Sequence, residues 1–544
     1  MTTRNTFSSA LENELIMSET VRTENGAVMH ASTGKPFLDA FWKISSCRNM
    51  NEDEIIQIFA PCFKEDFTLA CRLLFYIRDC RQGCGEKRTF NILFKWLFNL
   101  SNVRAPLGFA DNYEVRKAFV KLLPEYGSWK DVTSIAADLD MPVFFDVIRE
   151  QLEEDSRGFA EGNSISLLAK WMPSINTSSK KTVEAAKLFC KRLGYSHASY
   201  RKLLSNLRKH IDIIERKMCS GEWAAIDYNA VPSKANLLYK NAFMKHDEIR
   251  RKDYLSKLVK GDESVKINAG ILEPYEIVHK YVSEHGKKNY SWGYDNARQV
   301  NIDDAIEMLW KNLPRGDELQ EKNLICVHDN SGSMGTTIGG TTVSCHDVAD
   351  SLAIYCSEML KGEWKDKFIT FSEQPKMVDL SNCETLASKI AALHRKMDCS
   401  NTNIEAVFNI ILKTAVENKS KQEEIPDILV LSDMEFDGAT TLSYWEFNSK
   451  FDTLFETIRK RFASYGYQMP KLIFWNICSR TNGIPVRENA NGVILVSGFS
   501  KNTFKMVASG KLDPFEALKE QLKVKRYDAV ELALNNKEEP KFEE

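Results

Sequence analysis

Proline is scarce in this 544-residue sequence, at 15 residues. With 43% hydrophobic content and 10 Trp, 17 Tyr and 30 Phe, this excludes extended disorder as its main content. No apolar run reaches the roughly 20 residues a bilayer span needs, so no membrane partner is expected. No signal peptide opens the chain. The 13 cysteines form no framework and no Cys-x-x-Cys pair, the nearest approach being Cys80 and Cys84. Their odd number and the missing signal peptide point to reduced thiols and to a cytoplasmic or nuclear rather than secreted protein. Net charge is also nearly absent, at -2.

A chain of this length exceeds the roughly 250 to 300 residues one hydrophobic core can serve, so two or three domains are expected. Residues 1–35 are polar and read as a flexible arm. Residues 36–317 carry apolar positions at helical spacing, as in Phe67 to Arg78, Arg88 to Leu100 and Glu114 to Leu123. The helices recur in pairs roughly every 35 to 45 residues, the spacing of a HEAT-like repeat array, with an irregular helical domain as the alternative. Turn chemistry at Pro124-Glu125-Tyr126-Gly127, Met172-Pro173-Ser174 and Val231-Pro232-Ser233 breaks the helical runs.

After Pro314-Arg315-Gly316-Asp317 the period changes. Short apolar runs at Leu324 to His328, Lys367 to Phe371, Ile428 to Leu431, Leu472 to Ile477 and Val493 to Val496 alternate with helical segments. Those are Asp347 to Leu360, Ile404 to Val416 and Tyr444 to Ala463. That alternation predicts a doubly wound, Rossmann-like parallel sheet over 318–544, ending in a C-terminal helix. Its site belongs at the strand C-termini.

There the first strand runs into Asp329-Asn330-Ser331-Gly332-Ser333-Met334-Gly335, an Asp-x-Ser-x-Ser turn. One carboxylate and two hydroxyls suit a hard divalent cation, Mg²⁺ or Mn²⁺. Two later loops offer Thr402 and Asp433 to the same crevice, making five oxygen donors: Asp329, Ser331, Ser333, Thr402 and Asp433. The three motifs, in this order, resemble the metal-ion-dependent adhesion site of von Willebrand factor A domains, with Asn330 standing where many of them have valine or threonine. No enzymatic activity is expected. The chain lacks both a Gly-x-Ser-x-Gly elbow and a Gly-x-x-x-x-Gly-Lys-Ser/Thr loop, and His328 points to the sheet face opposite Asp329.

The helical half carries Tyr76-Ile77-Arg78-Asp79-Cys80-Arg81-Gln82-Gly83-Cys84-Gly85-Glu86-Lys87-Arg88. It resembles the Tyr-x-Arg-Asp-x-Arg-x-Gly-x-Gly-Glu-Arg signature of the family known as domain of unknown function 2828. It departs at Cys84, where a basic residue is common, and at Lys87, where the signature has Arg. Tyr126 to Asp131, Leu168 to Pro173 and Phe243 to Asp247 are similar to that family too. Its pairing of a helical region with an A domain looks like the Ro autoantigen, or TROVE-module, architecture. That resemblance implies a ring of HEAT-like repeats closed by the A domain, with RNA on the basic outer face and in the central hole, and hence a ribonucleoprotein.

Charge distribution is compatible with this. From Lys191 to Tyr290, 20 Lys and Arg face 12 Asp and Glu, so this stretch carries +8 and the remainder -10. Candidate phosphate-binding residues are Arg201, Lys202, Arg208, Lys209, His210, Lys245, His246, Arg250, Arg251 and Lys252, with Tyr200 and Tyr254 to stack on bases. The competing reading has the tyrosines in the helix core and the cations on ordinary solvated faces. Two functions follow: a non-enzymatic RNA-binding protein, or a scaffold whose metal is completed by an acidic side chain of a protein partner.

Overall fold

The structure, a computed structural model, describes residues 20–24, 28–100, 109, 111–285, 302–371, 374–397, 404–435, 458–481, 483–485, 493–509 and 513–535. A helical N-terminal region is followed by a mixed α/β sheet. The chain forms two compact units, one of residues 1–54 and 267–521, the other of 55–266 and 522–544. The sequence reading has one boundary at 317/318; in space the sheet unit also takes in segments from before the helical region.

In the sheet unit six strands, β3 (Leu324–Asp329), β4 (Lys367–Phe371), β5 (Met377–Asp379), β6 (Asp427–Ser432), β7 (Leu472–Asn476) and β8 (Val493–Ser497), lie in the order β5-β4-β3-β6-β7-β8. All pairings are parallel except β4 with β5. Parallel strands are covered on both faces, which is why they read as unbroken apolar runs. On one face Ile325, Val327, Ile428, Val430 and Phe474 meet Phe408 and Leu412 of the helix Ile404–Asn418. The helix Cys345–Met359 packs against β3 and β6. The predicted helix Tyr444 to Ala463 lies largely outside the described residues, as its stretch 444–457 does.

Within the expected arm at 1–35, residues 20–24 and 28–35 are described. Two short strands, β1 (Thr20–Arg22) and β2 (Val28–His30), pair antiparallel. His30 exchanges two 2.9 Å backbone hydrogen bonds with Ile484, and Met29 is buried in the apolar core. A polar composition conceals these few anchoring residues.

In the helical unit Phe67–Arg78, Lys87–Asn99 and Tyr113–Tyr126 form as the periodicity predicts. Pro124 does not break the last of them but sits in its final turn, and the helix ends at Gly127. Phe75 is ringed by Phe90, Phe94, Phe119 and Tyr126 at centroid distances of 5.1–6.3 Å. Beside this aromatic core lies a buried polar knot. Asp131 accepts from Arg78 at 2.7 Å and pairs with Lys87 at 3.0 Å. Asp79 accepts from Arg526 and from the Tyr527 hydroxyl at 3.0 Å. The segment from Lys525 to Leu534, expected to finish the sheet domain, therefore belongs to the helical unit, where Asp528–Leu534 packs on Phe67–Arg78 and Tyr113–Tyr126.

Gly83 turns the chain into this knot so tightly that a Cβ there would stand 2.1 Å from the Tyr76 carbonyl oxygen. Gly83→Ala is accordingly expected to destabilise the helical unit by roughly 1–3 kcal/mol or more, the usual range for overpacking. Urea unfolding followed by far-UV circular dichroism checks this, and an unchanged midpoint would show that the turn relaxes.

Candidate functional site

The sheet order places the site. From β3 the chain moves outward to β4 on one side, then resumes at β6 on the other, so the winding reverses between β3 and β6. Loops leaving the C-terminal ends of two such strands part and leave a crevice. Asp329 ends β3, and Asp433 follows the last residue of β6.

The loops are held by their own side chains. Asp329 Oδ1 accepts from the Ser331 amide at 2.9 Å, and its Oδ2 accepts from the Ser432 hydroxyl at 2.5 Å. Ser432 Oγ in turn accepts from the Met434 amide at 2.9 Å. Met434 sits at φ +63°, a left-handed conformation that costs a long side chain energy and turns the loop sharply after Asp433. The hydroxyls of Ser331 and Ser333 are 2.9 Å apart. Thus Asp329, Ser331, Ser333 and Asp433 come together as expected, while Thr402 lies outside the described residues.

Among the described residues the crevice gathers two buried carboxylates and one guanidinium. Asp329 and Asp433 are 1% and 0% exposed. Burial, and then the charge of Asp329, push the Asp433 carboxyl up to about 7; burial also raises Asp329. Arg480 supplies one cation, its Nη1 lying 3.2 Å from Asp433 Oδ2 and 3.5 Å from the Ser333 carbonyl oxygen. Arg480 also pairs with Glu24 at 2.8 Å. Behind it the buried Glu435 carboxylate accepts from the amides of Arg480, Thr481 and Glu24 at 2.7–3.1 Å. Sequence reasoning assigned no role to Arg480 or Glu435. Glu435 was legible only as an acid two residues past Asp433, and nothing in the local string marks Arg480. All candidate donors are oxygens, the set a hard divalent cation takes.

Residues 23–139 and 143–322, more than half of the chain, match a family described as a domain of unknown function (DUF2828). The chain belongs to the DUF2828 family. Residues 323–542 match a second domain of unknown function (DUF7788). An uncharacterized protein of Acanthamoeba polyphaga mimivirus is 26% identical over 528 residues, covering 90% of this chain and 84% of that relative. Among solved structures, the crystal structure of the Deinococcus radiodurans RO (RSR) protein aligns with a TM-score of 0.42 and 14% identity, covering 83% of this chain and 93% of that one. Two of the DUF2828 strings, Tyr76 to Arg88 and Tyr126 to Asp131, meet in the knot around Asp131, so in this family member they build the fold.

The ten basic residues divide. Arg201, Lys202 and Lys209 stand exposed on the helix His197–His210. Lys245 and His246 are exposed at the end of Ser233–His246, where His246 stacks on Trp223 at 4.5 Å. Lys252 is exposed and paired with Glu248 at 2.5 Å. The remaining four are engaged internally. Arg208 donates to the carbonyls of Ala169 and Met172 and to Ser174 Oγ at 2.7–2.8 Å. Nε2 of His210 is 2.6 Å from the Asn163 carbonyl oxygen. Arg250 binds the carbonyls of Trp223 and Ile226. Arg251 is fully buried among the rings of Tyr228, Phe243 and Tyr254 at 4.8–5.2 Å, so it cannot face a phosphate. Tyr200 and Tyr254 are likewise buried, their hydroxyls donating to the carbonyls of Pro173 and Lys266, so neither is offered for stacking. An aromatic ring with a partner for its hydroxyl is more stable in the core than on the surface.

Because Asp433 holds its proton more tightly in the folded chain than in the unfolded one, ionising it opposes folding. Metal-free protein should therefore lose stability as pH rises from 3.8 to about 7 and level off above. Melting temperatures in chelator across this range test it. Asp433→Asn should flatten the profile and raise the plateau by several degrees, and an equal slope in that variant would assign the effect elsewhere.

Proposed function

We propose that this chain is a non-enzymatic RNA-binding protein, in which a HEAT-like helical array carries the RNA and a von Willebrand factor A-type domain carries a Mg²⁺ or Mn²⁺ ion. The observation that carries the RNA reading is the uneven charge: +8 between Lys191 and Tyr290 in a chain of net charge -2. It is supported by where those cations stand. At 100° per residue, Arg201, Lys202 and Lys209 fall within about a 100° arc of their helix. Tyr200, Leu204 and Leu207 fill the buried side of the same helix. Lys187 and Lys191 are exposed on the neighbouring helix Lys180–Leu193 and extend the cationic character. Such a surface attracts a polyanion without reading its bases.

Asp329, Ser331, Ser333 and Asp433 would hold the cation, with Thr402 as the fifth donor; the ion would supply the positive charge that two buried carboxylates and one arginine leave wanting. The absence of enzymatic activity rests on the same geometry. Ser331 and Ser333 contact each other, and His328 is hydrogen-bonded to Asp350 on the other face of the sheet, away from any serine it would have to activate.

The buried acidic crevice also supports the second reading, a protein scaffold in which a partner's carboxylate completes the ion's coordination. Salt and chelator separate the two. RNA affinity should fall steeply with salt and persist in chelator, whereas a metal-bridged protein contact should do the reverse. Changing Arg201, Lys202, Lys209 and Lys245 together to Glu should cut RNA affinity at least tenfold. It should also lower the slope of log affinity against log salt by about 3, with no change in melting temperature. A filter-binding titration with single-stranded RNA in which the variant equals the parent would remove this surface as the RNA site.

A further inference from the structure

A second cluster of metal-ligating side chains lies in the sheet unit, on the face of β3 opposite Asp329. His328, from β3, points toward the helix Cys345–Met359, which carries His346 and Asp350 one turn apart and so on one side. Ligand atoms of His328, His346 and Asp350 all lie within 4.8 Å of one another. Asp350 Oδ1 is 2.7 Å from His328 Nε2, and its Oδ2 is 3.0 Å from Nε2 of His394, the last residue of the helix Leu386–His394. Three imidazoles therefore surround one buried carboxylate.

Hydrogen bonding alone leaves this cluster incomplete. Nδ1 of His328 and Nδ1 of His346 are buried and have no hydrogen-bond partner among the described residues, although an unsatisfied buried polar atom opposes folding. The His328 side chain is 0% exposed. Two buried ring nitrogens without hydrogen-bond partners, on imidazoles gathered around one buried carboxylate, describe a coordination shell better than a finished hydrogen-bond network.

We infer that His328, His346 and Asp350 form a binding site for a borderline-soft divalent cation of the Zn²⁺ class, distinct from the all-oxygen crevice at Asp329. Nitrogen donors favour Zn²⁺ over Mg²⁺. A tetrahedral Zn²⁺ shell places its donors about 3.3 Å apart, so the His328–Asp350 pair at 2.7 Å would open slightly and the wider separations, up to 4.8 Å, would close around the ion. His394, with 41% of its side chain exposed, stands on the solvent side of Asp350 and marks the entry path and fourth position. Both sites lie at the end of β3, one on each face of the sheet, and their donor chemistries sort the ions between them.

Titration of the full-length protein with Co²⁺, a spectroscopic stand-in for Zn²⁺, in a large excess of Mg²⁺ tests this. One equivalent should bind with visible d–d absorption, be displaced by Zn²⁺, and persist in Asp329→Ala. His346→Ala removes one proposed ligand, and far-UV circular dichroism establishes that the metal-free variant is folded before its affinity is read. Its Co²⁺ affinity should fall by more than the ~10–100-fold that loss of an outer-shell partner costs. Absence of the absorption band in the unaltered protein, or a band unchanged in a folded His346→Ala, would reduce the cluster to a hydrogen-bond network. Should His346→Ala fail to fold, the unaltered protein decides alone: a Zn²⁺-displaceable band upholds the site and its absence overturns it.

Discussion

A buried carboxylate needs a cation or hydrogen-bond donors beside it, and in the helical unit two carboxylates take cations at one corner of the fold. Asp131 takes Arg78 and Lys87; Asp79 takes Arg526 and the Tyr527 hydroxyl. The end of one helix, the start of the next, the Tyr126-Gly127 corner and the segment from Lys525 onward all converge there. Such pairs add little net stability over apolar packing, but an unmatched partner costs about 3–5 kcal/mol, so they fix which termini meet.

The sheet unit works from the opposite imbalance. At the reversal between β3 and β6, Asp329 and Asp433 are buried together, with the Arg480 guanidinium between Asp433 and the Ser333 carbonyl. Burial and the Asp329 charge push the Asp433 carboxyl up to about 7. Among the described residues Arg480 is the cation hydrogen-bonded to Asp433 there. The same strand, with its side chains alternating, turns His328 to the other face, where nitrogen takes the place of oxygen.

The sequence made the strands legible because both faces of a parallel sheet are covered and the residues show it: β3, β6, β7 and β8 each carry an unbroken apolar run of four residues, Leu324 to Val327, Ile428 to Leu431, Leu472 to Trp475 and Val493 to Val496. Asp329, Ser331, Ser333 and Asp433 were legible because motif order and strand ends coincide. The three-residue strands β1, β2 and β5 were not, since so short a strand shows no alternation. Arg251 and Tyr254 looked like surface chemistry because a cation beside tyrosines has the same composition whether it awaits a phosphate or fills a cage of rings. Arg480 reaches Asp433 across 47 residues, and no local pattern encodes such a distance.

The pairing of Asp79 with Arg526 spans 447 residues. During synthesis the helices from Ile55 to Lys266 emerge with Asp79 already at the end of its helix and its cation still untranslated. The stretch from Ile267 to Gln521, which with residues 1–54 makes the sheet unit, is translated in between. The helical unit is thus finished last, so its completion reports that translation has passed Arg526, and a ribosome stalled within the sheet would leave Asp79 without its cation.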